Sequence, residues 1–262
     1  MITSAYEILR AGGSSLDAVI TAVTMLEDDA LFNAGYGAVF TAEGQHELDA
    51  SIMDGANLKA GSVAGVTRVK NPIKAARVVM EKTNHVMLTG EGADTFAESQ
   101  GLEMVPSEYF YTERRWRSLM KLKERLRVKE NTPISDEDKH GTVGAVALDK
   151  NGNLAAATST GGHTNKMKGR IGDSPVIGSG TYANNDSCAV SCTGDGEYYM
   201  RLVLAYDIAA RMRYAGDTLE VAANQVIKQV LPELGGSGGL IAIDRHGKIV
   251  MPFNTNVCTG HR

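Results

Sequence analysis

The chain has 262 residues, 43% of them hydrophobic, enough to bury one large core in a single α/β domain. Its 27 basic and 31 acidic residues leave a net charge of −4, which excludes a global attraction to nucleic acid or to an anionic membrane surface. Three cysteines make no disulfide framework and no apolar run reaches the ~18 residues of a membrane span, so a cytoplasmic protein without nucleic-acid or membrane partners is expected.

In chain order, Ser4 to Arg10 read as a helix stopped by Gly12-Gly13. Ser14 or Ser15 caps a second helix with Ala18, Val19, Ala22, Val23 and Leu26 on one stripe. Residues 27–40 follow as a turn-rich structured loop in which Gly35 and Gly37 permit backbone shapes closed to other residues. Lys59 to Val69 is a strand candidate, and Asn71-Pro72 suits the cap and first position of a helix running to about Met80.

Residues 107–141 break this pattern. Between Glu113 and Glu130 eight Lys or Arg stand against three Glu, and Pro133 with an acidic cluster follows. Trp116 is the one interleaved aromatic, too little for a nucleic-acid site, so a solvated, partly helical linker is expected.

Beyond the linker the chain turns β. Val143 to Leu148 and Leu154 to Ser159 flank Asn151-Gly152, a tight-hairpin signal. Gly238 to Asp244 and Ile249 to Met251 repeat the design around Gly247, and the two hairpins are expected to share one antiparallel sheet. Between them lie a strand, Ala189 to Thr193, a helix from about Glu197 to Met212, and a helix capped by Thr218 and ending near Leu231. Strands with helices of this length predict a layered α/β sandwich whose sheet is not wound around a nucleotide.

Chemistry concentrates after the linker. Thr142 follows Gly141 at the composition boundary; a cut between them would yield a chain beginning with threonine, whose hydroxyl is a nucleophile and whose own amine is a base. Three glycine-rich polar phrases, 158–162, 169–175 and 193–197, suit close approach of backbone N–H groups to a ligand, although ordinary glycine turns read the same way. Thr193-Gly194 precedes a helix, which favours negative charge; with no phosphate-loop motif and a carboxylate at Asp195, a transient oxyanion fits better than a phosphate. Arg170 and Asp173 suit the carboxylate and ammonium of a zwitterion, while as an isolated pair a surface salt bridge is the commoner reading. The six histidines show no zinc spacing and none is assigned to catalysis; Ser179 lacks the G-x-S-x-G frame; Cys188 and Cys192 share one strand face and read as core.

Taken together, LEDDALFNAG, LDASIMDG, NPIKAARVVMEK, HGTVGAVALD, ATSTGG, GRIGDSP, YANND, CTGDGE and GGSGGLIAID occur in an order that resembles the plant-type L-asparaginases and isoaspartyl aminopeptidases. These form the asparaginase type 2 family of N-terminal-nucleophile hydrolases. The resemblance covers almost the whole chain and implies a four-layer αββα sandwich, self-cleavage at Gly141-Thr142 into α and β portions, and a dimer of αβ units. It implies Thr142 as nucleophile, Thr160 hydrogen-bonded beside it, Thr193 and Gly194 as oxyanion hole, and Asn33 as a positioning group. Arg170 and Asp173 would hold the substrate's α-carboxylate and α-amine, with Gly196 completing the pocket.

The substrate implied is a small molecule, L-asparagine or a β-aspartyl dipeptide, and no organic cofactor is expected. A structural sodium ion would sit on main-chain carbonyls of Leu26, Glu27, Asp29, Phe32, Ala34 and Tyr36, in keeping with the oxygen ligands of hard cations. Against the family pattern, the sequence opens directly in the first helix, without the usual first strand and its His-Gly-Gly phrase, and residues 256–262 depart from the family's closing segment. An exposed sheet edge is expected from this, and Asp195 is expected to place a negative charge beside the oxyanion hole. The competing readings are a glycosylasparaginase-like hydrolase and a truncated, uncut pseudoenzyme acting only through association.

Overall fold

The computed structural model describes residues 2–128 and 141–255. The acidic half of the expected linker, with His140, and the closing residues 256–262, with Cys258 and His261, lie outside the described residues.

Helix α1 spans Ile2–Arg10 and α2 spans Ser15–Glu27, the latter capped by Ser14, whose Oγ accepts the Asp17 N–H. Strands β1 (Leu48–Asp54) and β2 (Ala60–Val66) pair antiparallel, and α3 (Pro72–Lys82) packs across both. Asn71 precedes Pro72 as expected, but its side chain makes no cap: Nδ2 donates to Asp28 Oδ1 at 3.0 Å. The Glu27 carboxylate, from the end of α2, instead accepts the Ile73 N–H at 3.0 Å. Strand β3 (Met87–Thr89) adds in parallel to β2, and α4 (Gly90–Ser99) follows it.

Strands β4 (Val143–Leu148) and β5 (Leu154–Thr160) form the predicted hairpin. They complete a five-stranded sheet of order β3-β2-β1-β5-β4. A second sheet, β6-β7-β8-β9, is built from Thr181–Ala183, Cys188–Gly194, Gly238–Asp244 and Ile249–Val250. The two similar hairpins therefore do not share one sheet: β4–β5 belongs to the first and β8–β9 to the second. The two apolar faces of β5 explain the separation. All seven of its residues are buried, because Ala155 and Ala157 face the helices of the α-side core while Leu154 and Ala156 face the second sheet.

The second sheet is covered on its outer side by α6 (Gly196–Leu202), α7 (Leu204–Ala210) and α8 (Leu219–Gln225), which gives helices, sheet, sheet and helices. The helix expected from Glu197 to Met212 is broken at Val203, which takes a left-handed conformation (φ 49°). The break lets the Ala205 and Tyr206 N–H groups reach the carbonyls of Ser179 and Gly178. Thr218 caps α8 as expected, accepting from Val221 N. Cys188 and Cys192 are buried free thiols of the core.

The largest departure from expectation lies at 107–128. A 3-10 turn at Ser107–Phe110 leads into α5 (Glu113–Arg127), capped by Thr112, and Phe110 and Leu119 are fully buried. This part of the expected linker is a docked helix. Trp116 stacks edge-on against Phe40 at 5.3 Å rather than reaching for a base.

Candidate active site

The β4–β5 register pairs Val143 with Ser159, so Thr142 stands opposite Thr160 on the face turned to the second sheet. Their Oγ1 atoms are 2.9 Å apart, within hydrogen-bond distance. Thr160 Oγ1 also accepts the Gly162 N–H at 3.0 Å. Glycine is required at 144, two residues along, because a Cβ there would fall on Ser191 Oγ.

Asn33 brackets the segment from the other side. Its backbone N–H donates to the Gly141 carbonyl at 3.0 Å and its own carbonyl accepts the Gly161 N–H at 2.9 Å. Its side chain donates to Gly162 O at 2.6 Å and accepts from Val39 N at 2.9 Å. With four bonds used, this 2% exposed asparagine ties the residue before Thr142 to the loop after Thr160.

Thr142, Thr160, Gly162, His163, Arg170, Gly172, Asp173, Ser174 and Gly194 line one cleft. Its cavity of about 10 Å³ in the uncut chain holds roughly one water. Of the residues singled out in the sequence, Thr142, Thr160, Arg170, Asp173 and Gly194 meet here directly. Thr193 and Gly196 flank the cleft at the end of β7 and the start of α6, and Gly141 and Asn33 lie behind it. A wider groove of about 600 Å³ beside β9, between Glu220, Lys248 and Phe253, brings none of these residues together.

Arg170 and Asp173 do not pair with each other as a surface bridge. Arg170 Nε and Nη2 each donate to a Glu197 carboxylate oxygen at 2.9 Å. Cβ atoms built on Gly162 and Gly172 would stand 3.3 and 2.8 Å from Nη1, and one on Gly196 3.1 Å from Nη2. The three glycines thus form the walls of a slot around the guanidinium. Asp173 is buried, and its Oδ2 has no hydrogen-bond partner among the described residues. Burial pushes its carboxyl up to about 7, against the pull of the Arg170 charge. Burial is the largest influence on Glu197 and raises it, but the hydrogen bonds and charge of Arg170, a backbone hydrogen bond and the charge of His163 together leave that carboxyl below its ordinary range.

The Asp195 carboxylate is engaged by Ser237: its Oδ2 accepts the Ser237 N–H at 2.9 Å and hydroxyl at 2.7 Å. Tyr199 fixes the same strand end by donating to the carbonyls of Thr193 (3.1 Å) and Gly239 (3.2 Å).

Sequence reasoning missed His163 and Glu197, of which Glu197 joins the site only through the fold. His163 directly follows the Gly161-Gly162 pair and could have been found from that adjacency. It also missed Lys166, whose Nζ donates to Glu47 O at 2.7 Å and lies 3.2 Å from a Cβ built on Gly162.

The loop 26–36 supplies oxygens of the kind a hard cation takes. Gly35 (φ 51°) sits against the Glu27 carbonyl and Gly37 against that of Phe32, where any Cβ would collide with the oxygen. The glycines thereby leave room for these two carbonyls, and main-chain oxygens of this kind fit a hard cation. Among the described residues no cluster of His, Cys, Asp and Glu suits a metal ion. The Glu27 side chain is fully buried beneath this loop. Burial pushes it up to about 8, while Ser159 Oγ donates to it at 2.6 Å.

Comparison with known proteins bears on the same residues. The asparaginase family model matches residues 1–261. The isoaspartyl peptidase of Escherichia coli (strain K12) is 55% identical over 258 residues, covering 97% of this chain and 80% of that protein. The isoaspartyl peptidase/L-asparaginase of Mus musculus is 50% identical over 254 residues, covering 97% and 76%. That of Xenopus laevis is 48% identical over 256 residues, covering 97% and 81%.

Proposed function

The chain belongs to the asparaginase family, and from that premise we propose that it is a threonine amidohydrolase releasing L-aspartate from β-aspartyl dipeptides and L-asparagine. The observation that carries this reading is the Thr142–Thr160 hydroxyl pair, 2.9 Å apart, in a cleft walled by Arg170 and Asp173.

The chain first cuts itself between Gly141 and Thr142, which gives Thr142 a free amine. The substrate's α-carboxylate then docks on the Nη1/Nη2 edge of Arg170, the edge that Glu197 leaves to the glycine slot. Its ammonium meets Asp173, whose unpartnered Oδ2 is the natural acceptor. Thr142 Oγ attacks the side-chain amide carbon while its own amine takes the hydroxyl proton, and Thr160 holds the hydroxyl in line. The oxyanion is received by Thr193 and Gly194; losing one such donor typically costs about 3 kcal/mol. The C–N bond breaks as the amine returns the proton to the leaving nitrogen. Water then hydrolyses the β-aspartyl ester, releasing aspartate.

A structural sodium ion held by the carbonyls of Leu26, Glu27, Asp29, Phe32, Ala34 and Tyr36 would neutralise their crowded dipoles and stiffen the loop that carries Asn33. The working form is a dimer of αβ units in the cytoplasm. No helix among the described residues is long and apolar enough to cross a membrane.

Incubation with a β-aspartyl dipeptide, L-asparagine and N-glycosylated asparagine tests the proposal. Aspartate appears from the first two. Release from the glycosylated substrate alone would replace the reading with a glycosylasparaginase, and no release from a stable uncut chain would leave only a role in association.

A further inference from the structure

Helix α5 precedes the proposed cut in the chain, and three of its cations reach one loop. Arg114 Nη2 donates to the carbonyls of Leu31 at 2.7 Å and Ala30 at 3.3 Å. Arg115 Nε donates to Gly37 O at 2.8 Å, and Lys123 Nζ to Ala42 O at 2.6 Å. All four acceptors lie within residues 30–42, the stretch that also carries Asn33, whose N–H meets the Gly141 carbonyl.

Arg115 differs from its two neighbours. It is only 5% exposed, and its Nη2 lies 3.5 Å from a Cβ built on Gly141. Burying a guanidinium costs several kcal/mol of desolvation before its contacts are counted, and an apolar side chain would fill the same space without that cost. A cation kept in the interior against the residue whose bond is to be cut has an electrostatic use there.

We infer that Arg115 is a positioning residue for self-cleavage, one that holds the Gly37 turn and Gly141 together so that the Asn33 N–H stays on the scissile carbonyl. The inference rests on the self-cleavage reading above. When Thr142 Oγ bonds to the Gly141 carbon, the carbonyl π pair moves onto the Gly141 oxygen, 3.0 Å from the Asn33 nitrogen. That pair returns as the Gly141–Thr142 C–N bond breaks, and the Thr142 nitrogen keeps the bonding electrons and takes the proton the hydroxyl gave up. Water then hydrolyses the resulting ester, leaving a carboxylate on Gly141 and restoring the Thr142 hydroxyl. In each negatively charged stage the charge arises on Gly141, the residue whose built Cβ would stand 3.5 Å from Arg115 Nη2.

The test follows the appearance of the two fragments by intact mass after cell-free synthesis of the full chain. Wild type is compared with Arg115→Ala, Arg115→Lys and the control Arg117→Ala, whose side chain is 78% exposed and paired only to Glu113 among the described ion pairs. Arg115→Ala is expected to slow cutting about 10- to 100-fold, with Arg115→Lys intermediate and Arg117→Ala at the wild-type rate. Dilute guanidinium, which a purely structural defect would not answer to, restores part of the lost rate in Arg115→Ala. Wild-type cutting by Arg115→Ala overturns the inference. So does equal slowing of the Ala and Lys variants without guanidinium rescue, which would assign Arg115 to folding alone. A wild-type chain that never cuts sinks the self-cleavage reading itself, and the inference with it.

Discussion

The residues on the two sides of Gly141 are docked by opposite means. After it, β4 and β5 are held by apolar burial: β5 hides all seven residues and alternates them between two cores. Before it, only two of the fifteen residues of α5, Arg115 and Leu119, are buried, and three of its cations grip loop carbonyls. The difference teaches that a charged helix need not be a solvated one. Cations that find carbonyls instead of water can seat a helix beside a sheet that is itself held by apolar burial.

This contrast can be broken from either side. The largest effect is expected at Thr142→Ala, which abolishes both cutting and hydrolysis, a loss beyond about 10³-fold in aspartate release. A variant that still hydrolyses β-aspartyl dipeptides would move the nucleophile elsewhere. Next comes Arg170→Lys, which keeps the charge but loses the planar fork held by Glu197. We expect kcat/KM to fall about 100-fold, mostly through KM; a loss under about threefold would return the Arg170–Glu197 pair to an ordinary ion pair.

On the other side of the cut, Leu119→Ala should destabilise the fold by about 3 kcal/mol in a denaturant titration. A tether would lose less than about 0.5 kcal/mol from the same change, so this variant separates docked helix from linker.

Smaller effects follow pH. Asp173 is pushed up to about 7 by burial and binds the substrate's ammonium as a carboxylate. The rate constant kcat/KM should therefore drop about tenfold per pH unit below about 7, and a profile flat down to pH 5 would remove Asp173 from the clamp. Stability runs the other way. Glu27 is pushed up to about 8, so the folded chain keeps a proton that the unfolded chain releases above its ordinary value near 4.5. Its contribution is present at low pH and is lost as pH rises through that window. Glu27→Gln should flatten this slope in thermal melts taken across it.

Much of the site was legible because its residues sit in short phrases whose meaning is local. Thr142 and Thr160 fall at matching ends of a hairpin that the Asn151-Gly152 signal announces, but Thr160 as the partner of Thr142 came from the family phrases. The order of the family phrases supplied the rest of the cleft. What escaped depended on contacts between distant elements. The two hairpins look alike, and only the double-sided burial of β5 decides that they lie in different sheets. Glu27 caps α3 across 46 residues, displacing Asn71 from the task its sequence suggests. Glu197 enters the site because the start of α6 folds against the 169–175 loop. Arg115 and Leu119 were hidden in a run of charge with no apolar stripe wide enough to announce a buried face.

The central claim is that Thr142 becomes the first residue of a new chain and acts from there. An intact-mass time course on the freshly made 27.9 kDa chain, with aspartate release from a β-aspartyl dipeptide recorded on the same samples, tests it most directly. Two fragments divided between Gly141 and Thr142 should accumulate, with activity rising in step with them. An undivided chain that releases aspartate, or a divided one that releases none, would contradict it.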